Sequence, residues 1–211
     1  KLLEEAAQRL YKEWFVDLHF PGYENTNIVN GVPEGWERKS VGDMLTKISR
    51  TKQIPSNEYL KNGNIPVIDQ SRNFIAGYTN DKDSIVDVTT PMILFGDHTR
   101  VLKYLPFSFA RGADGTQLIL SNNLKRLPQS LFFNTLIEID LSNYSYARHF
   151  KYLKAEQILI PTEEIAHKYD RISSGFYSKI QSCRNQLRLL TEARDRLLPK
   201  LMSGEIENIN N

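Results

Sequence analysis

The sequence contains a single cysteine, Cys183, among 211 residues. One cysteine cannot form a disulfide within the chain, and such sparse use is typical of a reducing compartment. No apolar run approaches the eighteen residues that a membrane-spanning helix needs. The N-terminal residues are acidic and amphipathic, unlike a signal peptide. These features predict a cytoplasmic protein that does not associate with membranes.

Recognisable catalytic patterns are also missing. The four histidines are scattered, without cysteine partners or the spacing of a zinc site: His19, His98, His149 and His167. Residues 111–115 lack the spaced glycines, the Lys-Ser/Thr ending and the following helix of a phosphate loop. Asp97-His98 resembles half of a hydrolytic pair, but no nearby serine or cysteine lies in a nucleophile elbow. Asp69 has no second carboxylate at the spacing of a metal-dependent nuclease. We therefore expect no catalytic residues and no metal site.

A long amphipathic helix is the clearest feature that is present, between Pro161 and Gly204. Its apolar residues recur in steps of three or four, with one step of seven between Leu190 and Leu197: Ile165, Tyr169, Ile172, Phe176, Ile180, Cys183, Leu187, Leu190, Leu197 and Leu201. This periodicity is typical of a coiled coil. Thr162 is the expected N-cap, and Pro199 and Gly204 are expected to end the helix. A helix of roughly 55 Å is too long to be buried in one domain, so the pattern predicts a partner helix.

The first residues of the chain repeat part of this helix. Six identities share one offset of 187 residues: Leu2, Leu3, Glu5, Ala6, Arg9 and Leu10 match Leu189, Leu190, Glu192, Ala193, Arg196 and Leu197. The repeat suggests a parent protein built as domain, helix, domain, helix, of which this chain is the second half. Chance agreement between two helices rich in leucine, glutamate and arginine is the alternative.

Short strands separated by turns are predicted between these helices. The predicted strands are 65–69, 85–88, 92–95, 101–104, 107–110, 117–120 and 158–160, and 129–139 is a predicted helix. The fold class is therefore α+β. We expect an N-terminal helix at 1–20, a mostly β domain at 21–160, the long coiled-coil helix at 161–204 and a tail at 205–211.

The formal charge of +2 is unevenly distributed. Residues 1–35 carry three basic and six acidic side chains, residues 36–128 thirteen and nine, and residues 144–203 eleven and six. The basic excess in the middle and in the long helix permits a phosphate-binding face, although a solvated helix face would explain much of it.

Several motifs resemble a known family when taken in this order and spacing. They are Leu10-Tyr11-Lys12-Glu13-Trp14-Phe15-Val16-Asp17, Pro33-Glu34-Gly35-Trp36, Gly96-Asp97-His98-Thr99-Arg100, Gly112-Ala113-Asp114-Gly115-Thr116 and the segment 197–205. Together they resemble the specificity subunit of type I restriction-modification enzymes, over nearly the whole chain. The family has two target-recognition domains separated by long helices. One such domain and most of the central helix have no counterpart here, so the chain corresponds to a fragment or a half-subunit.

The resemblance implies a non-catalytic protein that recognises double-stranded DNA for other subunits. Methylation subunits would dock on the helices and methylate adenine, and restriction subunits would join them for ATP-dependent cleavage. S-adenosylmethionine and ATP would bind to those partners, and this chain would need no cofactor. The alternative is a coiled-coil assembly adaptor with a protein-binding head; a methyltransferase or nuclease fragment is disfavoured because the required motifs are missing.

Candidate DNA-binding residues follow from the chemistry of base recognition. Arginine and lysine suit guanine, asparagine and glutamine suit adenine, and exposed loops carry them. The candidates are Gln70, Ser71, Arg72, Asn73, Tyr78, His98, Thr99, Arg100, Arg111, Tyr146, Arg148, His149 and Lys151. An ordinary polar surface loop is the alternative for each.

We expect Arg72, Arg100 and Arg148 to lie on one face, because a single duplex must meet them together. We also expect self-association, since the first helix can cover only about half of the long one. The predicted helix interface comprises Leu3, Leu10, Trp14, Ile165, Tyr169, Ile172, Phe176, Ile180, Cys183, Leu187, Leu190 and Leu197. A homodimer built through it would present the same loops twice and would select an interrupted palindrome.

Overall fold

A mostly β head, residues 21–160, lies between two helical segments in this computed structural model of the protein. The structure describes residues 1–49, 51–113, 115–144 and 148–204. The helices are α1 (Leu2–Tyr11), which continues into a π-helical turn at Lys12–Val16, α2 (Gln129–Glu138), α3 (His149–Ala155) and α4 (Glu163–Met202). The strands are β1 (Ile28–Val29), β2 (Val32–Pro33), β3 (Glu37–Ser40), β4 (Gln53–Ile54), β5 (Ile65–Ile68), β6 (Gly77–Thr79), β7 (Ile85–Val86), β8 (Met92–Gly96), β9 (Leu102–Leu105), β10 (Phe109–Gly112), β11 (Thr116–Ile119) and β12 (Gln157–Ile160).

The strands of the head form small sheets around two central strands. β8 lies between β11 and β9 in an antiparallel sheet, and β8 is buried along its whole length because both of its faces are covered. β10 pairs in parallel with β4 and β5 and antiparallel with β7, and β6 extends this sheet beside β5. β12 pairs with β3, so the chain entering α4 is held beside the chain that enters the head. β1 and β2 form a separate hairpin.

One hydrophobic core joins the head to α1 and to the first half of α4. Its centre is Tyr169 of α4, whose ring packs edge-on against Phe15 and Trp14 with centroids 5.0 and 5.8 Å apart. The π-helical turn at Lys12–Val16 changes the side-chain spacing of an α-helix, and the adjacent residues Trp14 and Phe15 are both buried there. Phe15 also packs on Trp36 of the connector. The aromatic residues of the Leu10–Asp17 motif therefore fasten α1 to α4.

The fold confirms the α+β class and the long helix, with corrections of detail. Thr162 caps α4 as expected, because its hydroxyl accepts a hydrogen bond from the backbone N–H of Ile165 at 3.5 Å. The prediction that Pro199 ends the helix is wrong, since Pro199 lies inside α4 and the helix ends at Met202. Gly204 follows it with a φ of +76°, a value that favours glycine.

The predicted apolar seam does not coincide with the buried face of α4. The buried residues of the first half are Ile165, Ala166, Tyr169, Ser173, Tyr177 and Ile180. Ile172, a predicted seam residue, is 40% exposed. The difference arises because α4 packs on both α1 and α2, which buries a wider face and brings in the small residues Ala166 and Ser173. The first half of the seam is therefore covered within the chain, by α1 as expected and also by α2.

The predicted strands are found, with shifted ends, and the pattern missed several short elements. The strand predicted at 107–110 is β10 at Phe109–Gly112, and the strand predicted at 85–88 ends at Val86. β1 to β4, β6 and α3 were not predicted, because two to seven residues carry too little periodicity. Among the described residues, no helix combines the length and apolar character that crossing a bilayer requires.

Candidate nucleic-acid interface

Three loops of the head meet at one end of its sheets. They are the β5–β6 loop at 69–76, the β8–β9 turn at 97–101 and the β10–β11 turn around Gly115. The backbone carbonyl of Gln70 accepts a hydrogen bond from the Thr99 hydroxyl at 2.7 Å. The amide oxygen of Gln70 accepts another from the backbone N–H of His98 at 3.1 Å. Gln70, His98 and Thr99, distant in sequence, therefore form one cluster as candidate DNA-binding residues.

Two glycines allow this close approach. A Cβ on Gly96 would lie 2.7 Å from the Cβ of Gln70, and a Cβ on Gly115 would lie 2.7 Å from its amide nitrogen. Both distances are shorter than van der Waals contact. Gly115 also has a φ of +64°, which side chains rarely adopt. The glycines of the two motifs around 96 and 115 thus serve the packing of the loops around Gln70.

A fourth segment is attached to the cluster through Asp97. The buried carboxylate of Asp97 accepts a hydrogen bond from the backbone N–H of Phe150 at 2.8 Å, at the N-terminus of α3. Its backbone carbonyl accepts another from the N–H of His149 at 3.0 Å. The two ring nitrogens of His149 lie 2.9 and 3.0 Å from the carbonyl oxygens of Asp97 and Tyr144. His149 is therefore a buried bridge between two segments.

The remaining candidates differ in how available their side chains are. Arg72, Asn73, Arg148 and Lys151 are exposed. Arg148 immediately precedes α3 and has a φ of +107°.

Two candidate arginines are engaged within the head. The guanidinium of Arg100 donates to the carbonyl of Leu141 at 3.0 Å. The guanidinium of Arg111 donates to the carbonyl of Thr116 at 2.5 Å, and burial lowers the pKa of Arg111. These contacts fix backbone segments and use one nitrogen of each guanidinium; Arg100 is otherwise exposed.

Two other candidates lie apart from the cluster. Tyr78 lines a groove of about 530 Å³ between the head and the second half of α4, where its neighbours include Lys61 and Arg188. Tyr146 lies outside the described residues.

The expected common face of Arg72, Arg100 and Arg148 receives support from the backbone alone, because the loops that carry them are connected through Gln70, Thr99 and Asp97. The guanidinium of Arg100 is turned towards the carbonyl of Leu141, and the directions of those of Arg72 and Arg148 stay a prediction.

Comparison with known proteins places these features in a family. Residues 33–172 match the family described as the type I restriction modification DNA specificity domain. The chain belongs to this family. A curated relative of the specificity-domain family, the type I restriction enzyme MjaIX specificity subunit of Methanocaldococcus jannaschii, is 26% identical, and the alignment covers 98% of this chain and 53% of the relative. A solved S subunit of the type I restriction-modification system from M. genitalium shares the fold with a TM-score of 0.64 at 15% identity, over 95% of this chain and 54% of that one. The chain spans about half the length of both proteins.

Only part of the predicted helix interface is covered within the chain. Trp14, Ile165, Tyr169 and Ile180 are buried, while Leu3, Leu10 and Phe176 are partly buried against the same core. The other residues of the predicted interface are exposed: Ile172, Cys183, Leu187, Leu190 and Leu197. The second half of α4 therefore presents an uncovered apolar stripe, defined here as Leu187, Leu190, Leu197 and Leu201.

Sequence reasoning missed the residues that support the loops from beneath. Lys103 in β9 and the carboxylates of Asp69 and Asp97 contact backbone groups of the candidate loops. A detectable signal was the charge of Lys103 within the apolar strand Leu102–Leu105. In the part of the chain that the structure describes, no cluster of histidine, cysteine and carboxylate side chains could hold a metal ion.

Proposed function

We propose that the head recognises a short sequence of double-stranded DNA as the target-recognition module of a type I restriction-modification system. The observation that carries the proposal is the assembly of four connected segments, two of which present Arg72, Asn73, Arg148 and Lys151 to solvent beside the buried residues Asp97 and His149. Arginine and asparagine can discriminate bases in the major groove, and lysine and arginine can bind phosphates without regard to sequence. Membership of the specificity-domain family supports this assignment.

Catalysis, in this proposal, belongs to partner subunits. Methylation subunits that dock on the helices methylate adenine at the selected target, and restriction subunits use ATP to cleave DNA that lacks the modification. This chain binds neither S-adenosylmethionine nor ATP. Isothermal titration of the purified chain with each compound tests this statement, and binding of either one at micromolar concentration would contradict it.

The main test is binding to duplex DNA at several salt concentrations, because phosphate contacts make affinity fall steeply with salt. We expect Lys151→Gln to weaken binding to all duplexes about equally and to reduce the salt dependence. Asn73→Ala should reduce discrimination at one position of the target and leave the affinity for unrelated duplexes unchanged. The competing adaptor function predicts no duplex binding by the head and a protein ligand in its place.

We also propose that the exposed stripe of α4 pairs two copies of the chain. The pairing uses the stripe alone, because the first half of α4 is covered by α1 and α2. A two-fold pair would present identical loops twice, so the target should be an interrupted palindrome. Selection from random duplexes by the chain with its methylation partner tests the pairing. Insertion of one heptad into α4 should change the gap and keep the half-sites, whereas an asymmetric or ungapped target would contradict it.

A further inference from the structure

Lys103 is a buried charged residue directly beneath a candidate recognition loop. Its side chain is only 3% exposed, although it belongs to β9, whose other residues are Leu102, Tyr104 and Leu105. Its ammonium group donates a hydrogen bond to the backbone carbonyl of Asn73 at 2.5 Å. The same ammonium lies 3.8 Å from the carboxylate of Asp69.

The carboxylate of Asp69 continues this connection into the loop. The Asp69 oxygen that faces Lys103 accepts a hydrogen bond from the backbone N–H of Ser71 at 2.9 Å. One ammonium group therefore holds both ends of the segment 69–73, through a carboxylate at the start and a backbone carbonyl at the end. Arg72, whose side chain is exposed, lies between these two points.

Packing alone does not explain why this lysine is buried. Burial lowers its pKa to about 8, and the attraction of Asp69 opposes that shift only in part. Its cross-strand partner Leu94 and the next residue but one, Leu105, belong to an apolar core cluster, and such a strand position would accept an apolar side chain at lower cost. The buried charge thus calls for a role beyond filling space, and its contacts with the loop backbone supply one.

We propose that Lys103 is a positioning residue for target recognition, which fixes from beneath the loop that presents Arg72 and Asn73 to the bases. The inference rests on the proposed DNA-binding function. Lys103 does not reach DNA itself, since its side chain is buried. Base recognition requires side chains held in a narrow range of positions, whereas phosphate contacts tolerate movement. Loss of Lys103 should therefore reduce discrimination between sequences more than it reduces affinity for DNA in general.

The experiment uses the full chain and compares its affinity for the selected target duplex with that for a duplex of scrambled sequence. We expect Lys103→Met to reduce this ratio by about tenfold, the usual effect of losing one good base contact. Affinity for the scrambled duplex should stay the same. The matched control is Lys125→Met, which removes an exposed lysine paired with Glu163 and should leave the ratio unchanged.

A second variant separates positioning from stability. Lys103→Met leaves the Asp69 carboxylate without its cation and could unfold the head. The double variant Lys103→Met/Asp69→Asn removes both charges and keeps an oxygen that can accept from Ser71. It should fold with an unchanged thermal midpoint and still lose discrimination. Amide hydrogen exchange at 70–73 should become faster in it, at rates unchanged elsewhere in β5 and β9.

The pH dependence of the ratio of affinities for the target and scrambled duplexes gives a further measurement. Asp69 is the ionisable group that acts on Lys103 in the described structure. The target ratio of the native chain should decrease between pH 7 and 9 and that of the double variant should not. If the native chain prefers its target and the folded double variant shows the same ratio of affinities, the proposed role of Lys103 is wrong. No sequence preference in the native chain would instead contradict the proposed function and this inference with it, while hydrogen exchange would still show whether Lys103 orders the loop.

Discussion

The two halves of α4 share one periodic pattern but have opposite surroundings. In the first half, Tyr169 has no exposed surface and packs on Trp14 and Phe15, whereas in the second half Leu190 is 69% exposed. The apolar repeat continues through both halves, with one step of seven residues between Leu190 and Leu197. The comparison shows that a coiled-coil pattern indicates which residues can be covered, whereas the fold decides which of them are covered within the chain.

The largest contrast between the halves should appear in stability. Tyr169→Ala removes the centre of the aromatic core and should reduce the free energy of unfolding by about 3–5 kcal/mol. Leu190→Ala changes a side chain that is exposed in the monomer, and it should alter the free energy of unfolding of the monomer by less than about 0.5 kcal/mol. Urea unfolding followed by fluorescence measures both. Similar losses for the two variants would mean that the second half of α4 is also packed in the isolated chain.

Alkaline pH should also act through the first half. Burial raises the pKa of Tyr11 to about 12 and also raises those of Tyr169 and Tyr177, while an unfolded tyrosine titrates near 10. Above pH 10 the unfolded chain loses protons that the folded chain keeps. Above pH 10 the free energy of unfolding should therefore fall by roughly 1.4 kcal/mol per pH unit for each such tyrosine. Tyr177→Phe should reduce the slope of the free energy of unfolding against pH by the contribution of one tyrosine between pH 10 and 12. Tyr23→Phe, at a half-exposed tyrosine, provides the control.

Self-association should depend on the second half. Leu187 is 66% exposed, so Leu187→Asp should leave the stability of the monomer unchanged. In a paired stripe it would place a charge against apolar residues, and the dissociation constant should rise at least tenfold, about 1.4 kcal/mol. Sedimentation equilibrium at several concentrations measures this change. Arg188→Asp alters a neighbouring residue that is not part of the stripe and serves as the control; equal effects of both would indicate a general charge effect.

The smallest expected effect lies at the boundary between the halves. The guanidinium of Arg184 lies 3.9 Å from the ring centroid of Phe74 and 2.9 Å from the carboxylate of Glu4, and it is partly solvent-exposed. Arg184→Lys should lower the free energy of unfolding by about 0.5–1 kcal/mol, because lysine stacks less well on the ring of Phe74. The ion pair with Glu4 adds little, since it is screened by solvent. Arg188→Lys, at an exposed i,i+4 pair with Glu192, should have no measurable effect. A loss at Arg184 that disappears in high salt would assign the effect to Glu4 and not to Phe74.

Part of the interface was accessible from residue types in sequence. Gln70, Arg72 and Asn73 were chosen for their ability to recognise bases, and they do lie in one loop next to His98 and Thr99. Their roles were less accessible. Gln70 uses its amide oxygen, and Arg100 its guanidinium, for contacts inside the head. A residue type shows what a side chain can bind, whereas its available donors depend on neighbours distant in sequence.

The sequence by itself determined the elements whose signal is local: the long helix α4, the Thr162 cap, the strand β8 and the α+β class. Periodicity and capping act over a few residues, so they can be read directly from their order. Only the tertiary structure decided that α2 joins α1 in covering the first half of α4, that Asp97 holds α3, and that Lys103 lies beneath Asn73. Each of these depends on contacts between segments far apart in the chain, where many pairings satisfy the same local pattern and packing selects one.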